Sequence, residues 1–131
     1  MDRKKLLKHL VFLMFFLFLT DFIARELYWY YSISWFDIVM HFLSGLWVGL
    51  FFIYVFYVRK QVLRPLFHVI LFVLFIGILY EIFEIYTQNY MARIPFNTFD
   101  TLSDLFFDLL GGSLAVFFLS RHAAPALENT V

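Results

Sequence analysis

The sequence predicts an all-α fold, an integral membrane bundle of four transmembrane helices that forms a single transmembrane domain over residues 1–131. Three observations predict this class. The chain is 63% hydrophobic and carries 20 phenylalanines among its 131 residues, which is more apolar surface than a soluble core of this size can bury. It contains four apolar segments, each long enough to cross a hydrocarbon layer of about 30 Å. Its basic residues cluster at the ends of these segments, as they do in membrane proteins.

The four helices are predicted at about residues 6–30, 36–58, 65–88 and 101–120. The first follows a basic head, Arg3 to Lys8, and no small-residue cleavage site follows its apolar run, so we expect it to remain uncleaved. The second begins after Trp35, within an aromatic cluster typical of a membrane interface. The third opens with Pro65, which lacks the N–H that a first helical residue does not need. The fourth precedes a short polar tail that begins at Arg121.

The distribution of basic residues predicts the topology. They cluster at the N-terminus, between the second and third helices, and after the fourth, whereas the other two loops hold only Arg25 and Arg93. By the positive-inside rule both termini are expected to be cytoplasmic. We therefore expect a multi-pass protein of the cytoplasmic (inner) membrane, with the first and third helices ending outside.

Acidic residues recur at the outer ends of the second, third and fourth helices. Residues three or four positions apart share one face of a helix. The pairs of this kind are Asp37 and His41, Glu81 and Glu84, and Asp104 and Asp108. At a rise of about 1.5 Å per residue, all six lie within roughly the outer 10 Å of the membrane. Because glycines on the same faces permit close helix approach, the sequence predicts one acidic pocket near the outer face.

The charge of this predicted pocket is not balanced, because five carboxylates face at most one imidazole. Ionisable groups inside a membrane are usually paired or functional, so either several carboxylates stay protonated or a cation supplies the missing charge. Oxygen ligands with one nitrogen suit a divalent metal ion such as Mg, Mn, Ca, Fe or Zn. The residues expected to bind this metal are Glu81, Glu84, Asp104 and Asp108. The residues expected to form a catalytic pair are His41 and Asp37.

Helix capping is an alternative role for two of these acids. Both Ser34-x-x-Asp37 and Thr101-x-x-Asp104 fit an N-cap followed by an acid in the first turn, where the helix dipole favours negative charge. An interhelical hydrogen bond is the corresponding alternative for His41. The sequence leaves these alternatives open.

The two glutamates are harder to explain by helix structure. Glu81 and Glu84 lie near a helix C-terminus, where the dipole opposes negative charge, so a structural role would require a basic partner such as Arg25 or Arg93. Asp21 stands four residues before Arg25, and this spacing predicts a salt bridge on the first helix.

Three segments together resemble a known family. They read Asp37-x-x-x-His41-Phe42, Tyr80-Glu81-x-x-Glu84, and Asp100-Thr101-x-x-Asp104-Leu105-x-x-Asp108-x-x-Gly111. This pattern, which covers about residues 36–112, resembles the bacterial inner-membrane proteins of the YjdF type. It resembles more distantly the VanZ-like proteins, whose pattern has Gln at the position of Glu84 and Asn at that of Asp108. The resemblance implies that these residues form a site, but it does not imply a particular reaction.

Three functions fit these observations. The leading hypothesis is a metal-dependent membrane hydrolase or transferase that acts on an envelope lipid or lipid-linked substrate at the outer leaflet. In it Asp37 would ligate the metal or orient His41, which would act as ligand or general base, and Arg25 or Arg93 would bind a phosphate. The first alternative is a proton or cation carrier that uses the same carboxylates. The second alternative is a small membrane scaffold with a structural ion.

The expected partners follow from this class of protein. They are membrane lipids and a lipid-linked substrate, and no nucleic acid is expected. The pattern Gly45-x-x-x-Gly49 indicates close helix packing, either within the bundle or in a homodimer. There is no cysteine in the chain, which excludes disulfides, thiolate metal sites and cysteine nucleophiles.

Overall fold

The computed structural model describes residues 3–57, 65–88 and 97–128, and this part of the chain forms helices without a strand. The α-helices are α1 Arg3–Glu26, α2 Trp29–Ser32, α3 Phe36–Phe52, α4 Pro65–Tyr86 and α5 Thr98–Glu128, and a π-helical segment, Ile53–Tyr57, continues α3. Four candidate membrane spans lie in α1, in α3 with the π-helical segment, in α4 and in α5. The predicted all-α fold with four helices long enough to span a membrane is therefore confirmed.

The first helix ends earlier than the predicted residue 30. α1 stops at Glu26, and Tyr28 has a φ of 58°, the left-handed conformation that commonly ends helices. Its carbonyl oxygen accepts hydrogen bonds from the N–H groups of Tyr31 and Ser32, which starts α2 in a new direction. Glycine usually occupies such a position. Because the residue here is a tyrosine within an apolar run, the sequence does not mark the end of the helix.

The fourth predicted helix begins three residues earlier than expected, at Thr98, and continues beyond residue 120 to Glu128. Asn97 explains the early start, because its side-chain oxygen accepts hydrogen bonds from the N–H groups of Phe99 at 3.1 Å and Asp100 at 3.4 Å. This is the geometry of an N-cap. The α-helical part of the third predicted helix ends at Tyr86 rather than residue 88.

Helix α3 lies at the centre of the bundle and packs against α5, α4 and α1, with its largest interface on α5. One apolar cluster lies toward the end where α1 begins and α5 ends. Its buried residues are Leu6, Leu10, Leu50, Phe52, Ile53, Val69, Val73, Ala115 and Leu119. A smaller cluster at the other end joins Ala24, Phe36 and Met40. We call this second end, where α1 and α4 finish and α3 and α5 begin, the acidic end.

Glycines bring the backbones of α3 and α5 into contact. A Cβ atom on Gly45 would overlap the backbone carbonyl of Asp108, and one on Gly111 would overlap the carbonyl oxygen of Phe42. A Cβ atom on Gly49 would lie 2.8 Å from the Cβ of Ala115. The Gly45 and Gly49 face therefore packs within the chain, and a homodimer would have to use another surface.

Candidate functional site

Three helices bring five of the six predicted site residues into one buried cluster at the acidic end. They are His41 on α3, Glu81 and Glu84 on α4, and Asp104 and Asp108 on α5, and the sixth residue, Asp37, lies one turn before His41 at the start of α3. The convergence follows from spacing, since residues three or four apart share a helix face and the facing glycines let α3 and α5 meet closely. The predicted acidic pocket thus corresponds to a real juxtaposition of side chains.

His41 is the centre of the cluster, and it is only 7% exposed. Its Nδ1 lies 3.2 Å from Oδ1 of Asp108. Its Nε2 lies 3.4 Å from Oδ2 of Asp104 and 3.6 Å from Oδ1 of Asp37. The ring of Tyr80 contacts the imidazole edge-on, with centroids 5.9 Å apart. Carboxylates on two helices therefore lie beside both ring nitrogens, and Asp108 forms the hydrogen bond.

Four of the residues can direct ligand atoms to one point. The candidate ligand atoms of His41, Glu81, Glu84 and Asp104 all lie within 4.8 Å of one another. Three of these residues carry a buried oxygen for which the described part of the chain provides no hydrogen-bond donor. These oxygens are Glu81 Oε1, Glu84 Oε2 and Asp104 Oδ2. Buried polar atoms are rarely left in this state, so the cluster has unused capacity to bind a positively charged group.

Glu81 and Asp104 are the most completely buried of these acids, at 5% and 1% exposure. Glu84 is less buried, and its second oxygen accepts a hydrogen bond of 2.8 Å from the amide of Gln88. The contact between Asp104 Oδ2 and His41 Nε2, at 3.4 Å, is not a formed hydrogen bond. Glu81 Oε1, Glu84 Oε2 and Asp104 Oδ2 are therefore buried acceptors without a donor in the described part of the chain.

Asp108 contacts the other nitrogen of the His41 imidazole. It lies at Nδ1 of His41 and is not among the four residues whose ligand atoms converge. A carboxylate that accepts a hydrogen bond from one imidazole nitrogen leaves the other nitrogen as the metal ligand, an arrangement common in metal sites. Gly77 makes room for it, since a Cβ atom there would lie 2.9 Å from Asp108 Oδ2. A direct metal-binding role for Asp108 stays a prediction.

The structure does not support capping by the predicted serine and threonine. Asn97 caps α5, which places Asp104 in the second turn, beyond the reach of a cap. The residue before α3 is Trp35, with no side-chain capping bond, so Ser34 is not an N-cap. Asp37 remains in the first turn of α3, where the helix dipole favours its charge.

A cavity of about 1170 Å³ opens beside the cluster. Asp37, His41, Asp104 and Asp108 line it, together with Glu84 and with apolar side chains from α1 and α4. Among the described residues no extensive interface joins α1 to α4. Residues of α1, α3, α4 and α5 all contribute to the cavity wall.

The predicted salt bridge on α1 is confirmed and forms part of the cavity wall. Nε of Arg25 lies 2.9 Å from Oδ2 of Asp21, and the hydroxyl of Tyr30 donates to Oδ1 of Asp21 at 2.5 Å. Burial and this hydrogen bond raise the pKa of the Tyr30 hydroxyl, which keeps it a donor. Arg25 lines the cavity but is already paired, and Arg93 lies outside the described residues.

One acid was not assigned a role from the sequence. Asp100 is exposed on the first turn of α5, and it lies with Asp37 and Asp104 in a second group whose ligand atoms are within 4.8 Å of one another. The four-residue spacing of Asp100, Asp104 and Asp108 was the available signal, because it places all three on one face of the helix.

Comparison with known proteins gives a family but no activity. No curated protein and no solved structure matches the chain. A family model described as a predicted membrane protein, DUF2238, matches residues 2–124. This is the family of the YjdF-type proteins, so that resemblance is confirmed, whereas the matches give no support to the more distant VanZ-like resemblance. The match covers nearly the whole sequence, and the chain belongs to the DUF2238 family of predicted membrane proteins.

Proposed function

We propose that this membrane protein binds a divalent cation at the acidic end of its bundle and uses it on an envelope lipid or lipid-linked substrate. The observation that supports the proposal is the convergence of ligand atoms from His41, Glu81, Glu84 and Asp104. The three acids also each carry a buried oxygen that has no hydrogen-bond donor in the described part of the chain. The expected location is the cytoplasmic membrane, with the acidic end facing outward.

The size of the cluster fits one ion. Two ligands on opposite sides of a calcium ion, each at about 2.4 Å, are roughly 4.8 Å apart. For zinc, with oxygen and nitrogen ligands at about 2.1 Å in a tetrahedron, the separation is roughly 3.4 Å. Ligand atoms that all lie within 4.8 Å of one another can therefore reach one calcium ion, and a zinc ion would draw them closer together. Three carboxylates with one imidazole also match the oxygen-rich ligand sets of such ions.

The charge of the site supports the same proposal. An ionised side chain at the centre of a membrane costs about 2.5 to 3.5 kcal/mol on insertion scales. Glu81 and Asp104 are buried, and in the described part of the chain the only basic group paired with either of them is His41, whose Nε2 lies 3.4 Å from Asp104. A divalent cation would offset this cost and satisfy the free oxygens together.

The residues around the proposed cation have separable roles. His41 would bind through Nε2, because Nδ1 faces Asp108, and Asp108 would hold the imidazole in that orientation. Asp37 lies 3.6 Å from Nε2 and is partly exposed to the cavity, so it can accept a proton from a water molecule there. When bound, the cation would supply Lewis acidity and lower the pKa of bound water.

The cavity favours an amphiphilic substrate. Its polar wall carries Asp37 and His41, whereas Met14 and Leu17 of α1 and Ile76 of α4 contribute an apolar wall. Because no extensive interface closes the space between α1 and α4 in the described residues, a lipid chain can approach from the side while its head group faces the acids.

A carrier function has less structural support. Beyond the acidic end, the interior of the described bundle is filled by apolar residues that include Ile53, Val69, Val73 and Ala115. Proton or cation transfer across the membrane needs a chain of polar groups or water. This packing favours a site that communicates with one side of the membrane, as an enzyme or a scaffold with a structural ion would have.

Elemental analysis of the protein purified in detergent without chelators tests the cation site. We expect at least one divalent metal per chain in the wild type and its loss in Glu81→Gln. Glu26→Gln is the matched control, because Glu26 is an exposed acid on α1 outside the cavity, and it should retain the metal. A wild type without stoichiometric metal, or a Glu81→Gln variant that keeps it, would refute the site.

A second measurement separates the enzyme from the scaffold. Wild type and Glu81→Gln are incubated with bacterial envelope lipids, and new products are sought by mass spectrometry while helicity is followed by circular dichroism. Products formed by the wild type alone, with equal helicity in both, support the enzyme. Metal binding without lipid turnover, with helicity lost in the variant, supports a structural ion.

A further inference from the structure

We propose that the acidic end holds a second cation, bound by Asp37, Asp100 and Asp104, so that Asp104 bridges two metal ions. This inference rests on the proposed function, because it adds a site to the one formed by His41, Glu81 and Glu84. The ligand atoms of the three aspartates lie within 4.8 Å of one another, and Asp104 belongs to both groups of converging ligands.

The state of Asp104 is the observation that points to a bound ligand at the acidic end. The residue is 1% exposed, yet its Oδ2 has no hydrogen-bond partner in the described part of the chain. An ionised carboxylate has two oxygens and about four acceptor positions, so one aspartate can serve two cations. In two-metal enzymes the ions are about 3.5–4 Å apart, a separation that a shared carboxylate can span.

The negative charge that these acids carry when ionised also exceeds the charge of one divalent cation. Six carboxylates surround one imidazole: Asp37, Glu81, Glu84, Asp100, Asp104 and Asp108. The only other described cation on the cavity wall, Arg25, is paired with Asp21. A single divalent ion offsets two of these charges, and a second ion offsets two more.

The helix dipoles explain part of this arrangement but not all of it. Asp37 and Asp100 lie in the first turns of α3 and α5, where a negative charge is favoured without any ion. Asp104 lies one turn deeper, where the dipole effect has largely decayed. The dipoles, the exposure of Asp100 and repulsion from the first cation all weaken the second site. We therefore expect it to bind metal less tightly than the first.

The two sites differ in access to the cavity. Asp37, Asp100 and Asp104 all line the cavity, whereas Glu81 does not. Because His41, Glu84 and Asp104 of the first site also line the cavity, an incoming substrate would reach both cations, and the second would have all three of its ligands on the cavity wall.

Counting bound Mn²⁺ after equilibrium dialysis tests this proposal. The purified wild-type protein should bind two ions per chain at saturating Mn²⁺ and keep one at low free Mn²⁺. Asp100→Asn should bind one, with the tight affinity unchanged, and Asp37→Asn provides the same test should the first variant fail to fold. Glu26→Gln is the control and should bind two.

Electron paramagnetic resonance of the same samples gives a second readout. The doubly loaded wild type should show a spectrum broadened by coupling between neighbouring Mn²⁺ ions, and Asp100→Asn should show the six-line spectrum of an isolated ion. One ion per wild-type chain would overturn the second site and leave the proposed function standing, whereas none would overturn both. Two coupled ions in both Asp100→Asn and Asp37→Asn would show that these residues do not bind the second ion.

Discussion

Replacing Gly45 by alanine tests the packing that creates the candidate site. The added Cβ atom would overlap the backbone carbonyl oxygen, carbonyl carbon and Cα of Asp108. All three atoms belong to the backbone of α5, so no side-chain rotation can relieve the overlap. The two helices would have to separate at the point where His41 meets Asp108.

The expected cost follows from two opposing terms. Alanine is favoured over glycine within a helix by about 0.5–1 kcal/mol. Overpacking a tight interface typically costs about 1–3 kcal/mol, and a backbone overlap in the largest interface of the bundle belongs at the upper end of that range. The net prediction for Gly45→Ala is therefore a loss of about 1–2.5 kcal/mol of unfolding free energy.

Gly77→Ala is the matched control, because its new Cβ atom would approach the same residue but only at mobile side-chain atoms. The nearest are Oδ2 of Asp108 at 2.9 Å and Cδ2 of Leu105 at 3.0 Å. Unfolding by sodium dodecyl sulfate in mixed micelles, followed by circular dichroism, should show a stability for Gly77→Ala close to that of the wild type. Equal stability of all three proteins would refute the backbone contact between α3 and α5.

Two further substitutions probe the orientation of the site and the start of α5. Asp108→Asn should weaken Mn²⁺ binding by about 10–100-fold, because a carboxylate that positions a ligating histidine typically contributes that much to metal affinity. An unchanged dissociation constant would show that Asp108 does not position His41. Asn97→Ala should lower the unfolding free energy by about 1 kcal/mol through loss of the N-cap, measured by the same detergent titration. Asn97→Ser should restore most of this loss, and equal stability of the alanine and serine variants would contradict the capping role.

The helices and the meeting of the polar residues were predictable because both depend on periodicity. Apolar segments of sufficient length specify membrane spans, and acids three or four residues apart specify a face. Because successive membrane helices run in opposite directions, the end of α4 with Glu81 lies at the same depth in the membrane as the starts of α3 with His41 and α5 with Asp104. No detailed geometry was needed for this step.

The parts that the sequence did not predict depend on single residues whose chemistry permits several conformations. Tyr28 ends α1 in a left-handed conformation, although nothing in its side chain marks a helix end. Asn97 and Thr101 are both acceptable N-caps, and only the structure shows that Asn97 forms the bonds. Asp108 Oδ1 lies 3.2 Å from Nδ1 of His41. This contact depends on how α3 and α5 are placed relative to each other, which spacing along one helix does not determine.

The glycine contacts and the candidate site depend on each other through helix geometry. Gly45 lies one turn after His41, and Gly111 lies nearly one turn after Asp108, so the closest backbone approach of α3 and α5 is beside the cluster. This approach sets the distances of 3.4 Å and 3.2 Å between His41 on α3 and the carboxylates of Asp104 and Asp108 on α5. If α3 and α5 lay farther apart, Asp104 and Asp108 would lose their contacts with the imidazole of His41. A cation bound by α3, α4 and α5 would in turn hold the helices together, and at 100 times its dissociation constant it would add about 2.7 kcal/mol of stability. Metal binding and bundle stability should therefore rise and fall together, since the same close packing produces both.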